Sequence, residues 1–230
     1  SNYQGWPNVC HAREDDQPST MGATALRAAL AEAGVAPEEL RLVLFAGISR
    51  DYLPSFSGAT EIMQACGAQG HCLGLDMTIG CLGALSALDM AQGWLSLRGG
   101  GVAAIVTAER WSHTVDHGSV ASMGLWAHGD GASAAVVSLG TSHGARAIFH
   151  GAEFTTQSDL NGTVLVKYGG TRYPVAPAGA NPGERLFMGT SRADIRERYA
   201  YGYSSSLEAM KKRFGVSPNR VIINQTAALF

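Results

Sequence analysis

The sequence predicts an α/β fold built from two related halves, the second of them incomplete. Three observations lead there. Leu73–Arg98 reads LGLDMTIGCLGALSALDMAQGWLSLR. Its apolar start, Leu73–Met77, predicts a buried strand, Thr78–Gly83 a turn of small residues, and Ala84, Leu85, Leu88, Ala91, Trp94 and Leu95 a helix by their spacing. Gly101–Ala108 (GVAAIVTA) has almost no polar atoms, the pattern of a strand covered on both faces. Lastly, Ala31–Ala46 (AEAGVAPEELRLVLFA) is echoed by Lys212–Ala227 (KRFGVSPNRVIINQTA). In each, a helix ends at Gly-Val-x-Pro and a polar link leads into an apolar strand, which points to internal duplication. On this reading residues 1–145 form the first half, and residues 146–230 begin a second half that stops part-way.

The remaining elements follow in order. Ser1–Pro18 is polar and turn-rich and reads as a loop. Ser19 and Thr20 can cap a helix that runs to about Ala33, closed by Gly34. Leu40–Ala46 is a strand, Gly47–Phe56 a loop, and Gly58–Cys66 a short helix ended by Gly67. The apolar helix after Thr78–Gly83 has only Asp89 and Gln92 as clearly polar interior residues, so it should be buried on most sides. Glu109–Leu125 is a long polar loop and Trp126–Gly131 a turn. Ala132–Leu139 and Arg146–Phe154 read as two antiparallel strands, and Asp159–Asn181 as a loop with a β-hairpin. Ala193–Phe214 is an amphipathic helix, and Val221–Asn224 begins a strand.

Composition excludes several classes of function. The 230 residues carry 17 Lys and Arg against 19 Asp and Glu, a net charge of −2, so no basic field argues for nucleic acid or an acidic membrane. Apolar runs are short and interrupted, and no span crosses a membrane. The four cysteines, Cys10, Cys66, Cys72 and Cys81, lack metal-type CxxC pairing, and the reducing cytoplasm is the simplest compartment. His113 and His117 with Asp116 lack a further ligand at zinc spacing, so no metal is expected. Gly99-Gly100-Gly101 is followed by a strand and not by a GK[ST] phosphate loop. The cations Arg192, Arg196, Arg198, Lys211, Lys212 and Arg213 fit a solvated helix face better than a carrier-binding surface.

The chemistry converges on Cys81, where strand turns into helix. Free N–H groups at a helix start favour the negative charge that a thiolate nucleophile needs. The alternative is a small buried Cys filling space. Four pieces together resemble the thiolase-like condensing enzymes, above all β-ketoacyl-acyl carrier protein synthase III: Ser19-Thr20-Met21-Gly22, Leu75–Gly83 around Cys81, Gly129-Asp130-Gly131-Ala132, and the strand end Val221–Ala227. The resemblance implies a thiolase-like duplicated αβαβα layered fold and a homodimer paired near Gly101–Ala108. It implies no cofactor, the substrate being an acyl group carried by coenzyme A or an acyl carrier protein. Cys81 is then the nucleophile, taking the acyl group as a thioester while its backbone N–H helps form an oxyanion hole.

Where the family has a His at the strand end, this sequence has Asn224, followed by Gln225. An amide can donate to a developing oxyanion but cannot act as a base near pH 7. The resemblance therefore implies acyl transfer from Cys81 to an acceptor. His128, just before Gly129-Asp130-Gly131, is a candidate base beside its alternative as a structural histidine. Decarboxylative carbon–carbon condensation in fatty acid or polyketide biosynthesis is one rival reading. A non-catalytic partner subunit is the other.

Overall fold

The computed structural model describes residues 8–53, 55–140, 144–180, 186, 188–189, 194–215 and 217–222. The chain divides into two compact units, one of Cys10–Trp111 with Gly129–Gly151, the other of Ser1–Val9, Ser112–His128 and Ala152–Phe230.

The first unit holds a four-stranded sheet in the order β2-β1-β3-β4, where β1 is Leu40–Phe45, β2 Leu73–Asp76, β3 Gly101–Glu109 and β4 Gly131–Leu139. β1 pairs in parallel with β2 and β3, and β4 closes the sheet antiparallel to β3. Two helices, α1 (Pro18–Ala33) and α2 (Gly58–Cys66), cover one face; α3 (Gly83–Ser96) covers the other. The period of two along each strand sorts the core. Val43, Phe45, Ala104 and Val106 pack with Leu26, Leu30 and Ile62 on one side, while Leu42, Leu44, Ala103 and Ile105 pack with Ala87, Ala91 and Leu95 on the other. β3 is central and buried on both faces, as its composition predicts.

Several expectations are corrected. Leu73–Asp76 is an edge strand and not a buried one, with Leu73 45% and Leu75 42% exposed. Both leucines share the face of Leu42 and Leu44 through the register of β2 on β1. α3 lies over β1, β3 and β4 and leaves that end of the face open. For the same reason α3 is buried only along Gly83, Ala87, Ala91 and Leu95 with Ser86, and Leu82 and Leu85 are half exposed. An apolar helix surface shows that a partner is favourable, not that one covers it. The strand at Gly101–Ala108 lies one strand in from the edge, since among the described residues the sheet ends at β2 and β4. Arg146–Phe154 forms no strand: Ile148 is 77% exposed, and the outer edge of β4 stays unpaired among the described residues. The helix cap is Gln17, whose N–H donates to Thr20 Oγ1 at 2.8 Å. Ser19 instead gives both its N–H (3.1 Å) and its hydroxyl (2.6 Å) to the carboxylate of Asp51, a negative charge set at the start of α1.

In the second unit, short strands β5 (Val164–Leu165) and β6 (Met188–Gly189) pair antiparallel, and an isolated bridge joins Gly170 to Tyr173 in the region where a hairpin is expected. Helix α4 runs Ile195–Phe214, but none of its residues is buried. Val221 and Ile222 are exposed and outside any strand, and the rest of Val221–Asn224 lies outside the described residues. Both copies of the Gly-Val-x-Pro motif close a helix on their glycine. α1 closes on Gly34 at φ 64° and α4 on Gly215 at φ 65°, each donating its N–H back into the last turn. Among the described residues no helix is long and apolar enough to cross a membrane.

Candidate active site

The chain leaves β1 for α2 on one face of the sheet and leaves the neighbouring β2 for α3 on the other. Neighbouring parallel strands whose connections diverge in this way open a crevice at their carboxyl ends, where ligands bind in open α/β sheets. Cys81 stands there. It lies in a 3-10 turn, Gly80–Leu82, that enters α3 at Gly83, and it is exposed. The thiol is thus at the helix entrance as expected, but open to solvent where a buried position is expected.

Two glycines shape the turn. Gly80 sits at φ 72°, a conformation that disfavours any Cβ. Gly83 is buried, and a Cβ on it would lie 2.3 Å from the carbonyl oxygen of Ala46, so the helix start can reach the end of β1 only without a side chain. Neither packing role is legible from composition; only the spacing Gly80-x-x-Gly83 around Cys81 hints at it.

The loop after β1 is fastened to the same end of the sheet. Glu109 at the end of β3 accepts from Ile48 N (2.7 Å), Ser49 N (3.0 Å) and Ser49 Oγ (2.5 Å). Arg50 donates to the carbonyls of Gly47 (2.6 Å) and Ser49 (2.9 Å) and to Thr78 Oγ1 (3.3 Å), which ties this loop to the Cys81 turn. Its guanidinium also lies 4.7 Å over the Phe45 ring. Sequence reasoning missed Glu109 and Arg50, since a lone charge at a strand end or in a loop carries no pattern. Asp76 at the end of β2 has a structural bond, its Oδ1 accepting the N–H of Ala59 at 2.9 Å at the start of α2.

The other motifs have separate work. Asp130 of the Gly129-Asp130-Gly131 turn accepts from Ala12 N at 2.7 Å and donates its own N–H to the carbonyl of Cys10 at 2.8 Å, pinning the incoming chain. Asp116 accepts from Gly118 N through its carboxylate, and its carbonyl accepts from Trp126 Nε1 at 3.0 Å and from the Ser122 hydroxyl. No three His, Cys, Asp or Glu side chains cluster as a metal site among the described residues. Arg198 pairs with Asp159 and Asp194, Arg213 with Glu153, and Lys211 with Glu208, which occupies three of the cations near α4. His128 belongs to the second unit, Cys81 to the first. The His128 Nδ1–H donates to the Leu125 carbonyl at 3.0 Å, which fixes the proton of the neutral ring on Nδ1. Asn224 lies outside the described residues.

Comparison with known proteins places this arrangement. The family model for 3-Oxoacyl-[acyl-carrier-protein (ACP)] synthase III matches residues 75–157, from β2 through the Cys81 turn and beyond β4. Beta-ketoacyl-[acyl-carrier-protein] synthase III of Oleidesulfovibrio alaskensis is 28% identical over 206 residues, covering 90% of this chain and 61% of the relative. Among solved structures, a 3-oxoacyl-(acyl-carrier-protein) synthase III superposes with a TM-score of 0.75 at 20% identity, over 90% of this chain and 62% of that one. The chain thus shares the fold of these synthases, and from β2 to beyond β4 it matches the synthase III family model. The chain also resembles the acetoacetyl CoA synthase NphT7 of Streptomyces sp. (strain CL190), with 31% identity over 176 residues, 76% of this chain and 52% of the relative. OleA of Xanthomonas campestris shares the fold, with a TM-score of 0.71 at 20% identity over 90% of this chain and 60% of that one. The chain spans 61% and 52% of the lengths of the two sequence relatives named here.

Proposed function

We propose that this protein is an acyltransferase of the ketoacyl synthase III type, in which Cys81 carries the acyl group. The observation that supports it is one exposed thiol on a tight turn at the carboxyl ends of diverging parallel strands, inside the region matched by the family. In the first half-reaction the Cys81 thiol gives up its proton and its sulfur bonds to the acyl carbonyl carbon. The bond from that carbon to the sulfur of coenzyme A or carrier phosphopantetheine breaks, and the released thiol takes up a proton. In the second, an acceptor replaces Cys81 on the same carbon. Asn224 would donate a hydrogen bond to the oxyanion without moving a proton. The working form in this reading is a cytoplasmic homodimer.

Incubation with acetyl-CoA followed by intact-mass measurement tests the reading. The expected product is heavier by one acyl group less a hydrogen, with the adduct on Cys81. An unmodified mass with a folded protein would instead favour the non-catalytic partner subunit. Alkylation gives a companion result. Burial pushes the Cys66 and Cys72 thiols up, outweighing the opposing pull of Arg27 on Cys66 and Arg41 on Cys72, so both hold less thiolate than an ordinary cysteine at any given pH. Iodoacetamide near pH 7.5, in roughly the range where thiols begin to ionise, should therefore label Cys81 ahead of Cys66 and Cys72, and acyl-CoA should block that labelling. Cys10 is also exposed; labelling there with Cys81 untouched would refute the assignment.

The second half-reaction needs a base for an alcohol or amine acceptor, and His128 is one candidate beside its alternative as a structural histidine. His128→Gln should leave acylation of Cys81 intact and slow transfer to the acceptor by about 10²–10⁴-fold, the usual worth of general base catalysis. Wild-type rates in both half-reactions would return His128 to its turn as a structural residue. Decarboxylative condensation is the second reading, favoured by the synthase names of the relatives; release of carbon dioxide from malonyl-CoA separates the two.

A further inference from the structure

The opposite end of the sheet carries a second groove that the acyl chemistry does not use. It lies in the same unit as Cys81, at the starts of β1, β2 and β3 and the end of α3, and is an open recess of about 440 Å³. Arg41, His71, Cys72, Leu73, Trp94 and Arg98 line it, and no lining residue is acidic. β2 is four residues long, which sets the groove roughly 13 Å of strand away from the end that leads to Cys81.

Two features show how the cations come to face it. The pairing of β1 with β3 slips between Leu40 and Leu42, so Leu40 faces Val102, Leu42 faces Ala103, and Arg41 is the extra residue. A bulge of this kind re-aims a side chain, and it turns Arg41 out of a strand that is otherwise buried. On the far wall Arg98 is stacked 3.9 Å from the Trp94 ring and donates to the Trp94 carbonyl at 3.4 Å, so its guanidinium is held by aromatic packing and not by a carboxylate. Among the described residues neither Arg41 nor Arg98 makes an ion pair. The structure therefore sets two guanidiniums around one recess with no counter-charge.

We propose that this groove binds the phosphate group of a small anionic ligand, held between Arg41 and Arg98. Guanidinium forks match phosphate oxygens bidentately, and a phosphate supplies the negative charge the lining lacks. The site is independent of the acyltransferase reading, since it shares no residue with the Cys81 turn.

Isothermal titration of the whole chain with inorganic pyrophosphate, at constant ionic strength, tests it. Saturable binding is expected, weakened about tenfold or more in Arg41→Gln or Arg98→Gln, as when a charge-assisted hydrogen bond is lost. Lys211→Gln, in the other unit, should bind as the parent does. ADP as a second titrant distinguishes sources: tighter binding than pyrophosphate means a nucleotide, equal binding means the phosphate alone is recognised. No saturable binding below about 10 mM, the range where specific contacts cease to count, or parental affinity in both arginine variants, overturns the proposal. Circular dichroism confirms that the variants are folded, and acetyl-CoA labelling of Cys81 should be unchanged in both, so failure here is separable from failure of the acyltransferase reading.

Discussion

A Cys81→Ala protein keeps its unmodified mass after incubation with acetyl-CoA, while the parent gains an acyl group. The side chain removed is the atom that forms the covalent bond, so no neighbouring group can substitute for it. Removing a covalent nucleophile costs a rate factor of about 10⁴–10⁶ in enzymes where it has been measured, and the adduct should fall below detection. Cys10 supplies the control, since it is also an exposed thiol but sits at the chain segment pinned by Asp130. Cys10→Ala should acylate as the parent does. If the adduct persists in Cys81→Ala and vanishes in Cys10→Ala, the acylated thiol is Cys10 and the proposed function falls with the Cys81 assignment.

Gly83→Ala lowers the unfolding temperature by several degrees and also slows acylation. The added Cβ would stand 2.3 Å from the carbonyl oxygen of Ala46 and 3.3 Å from its Cβ, both on rigid ground at the end of β1. Backbone cannot swing aside as a side-chain tip can, so α3 must shift away from the sheet. Overpacking of this kind costs about 1–3 kcal/mol, which at roughly 2–4 °C per kcal/mol for a chain of this size is a loss of about 2–12 °C. The same shift moves the Cys81 turn, two residues upstream, so rate and stability fall together. Gly93→Ala on the same helix is the matched comparison. Its Cβ would meet nothing within 4 Å, and replacing glycine inside a helix gains about 0.5–1 kcal/mol. Thermal unfolding of the pair, followed by circular dichroism, checks both signs. A Gly83→Ala protein as stable as the parent would show that the helix entrance has room the structure does not give it.

These two glycines also mark how far a linear reading reaches. Helix boundaries were open to it where chemistry punctuates the chain: Gly34 and Gly67 end α1 and α2 in left-handed caps, and the apolar period in each helix selects the buried face. β3 was equally plain, because a strand covered on both sides needs nine residues with scarcely a polar atom. The Cys81 turn was legible for the same reason, as small residues wedged between a strand and a helix. The repeat at Gly-Val-x-Pro was visible as a pattern, and the matching caps at Gly34 and Gly215 give it a structural counterpart.

Coverage was not legible. Leu73 and Leu75 have the composition of a buried strand, yet they sit at an edge on a face that α3 does not reach. Arg146–Phe154 reads as a strand, but among the described residues it leaves the outer edge of β4 unpaired and holds Ile148 77% exposed, so it has no apolar face buried against the sheet. Ser19 has the right chemistry for a cap and instead serves Asp51, thirty-two positions away in the chain. In each case the side chain's own preference is local, whereas its partner is chosen by which surfaces the fold brings together. Amino-acid order alone determines where this chain turns, what each element would bury and which thiol stands at the strand-to-helix turn. Only the tertiary arrangement decides that this thiol is exposed, that Gly83 must be bare, and that Arg41 and Arg98 share one recess, because those are facts about distance between segments and not about any segment.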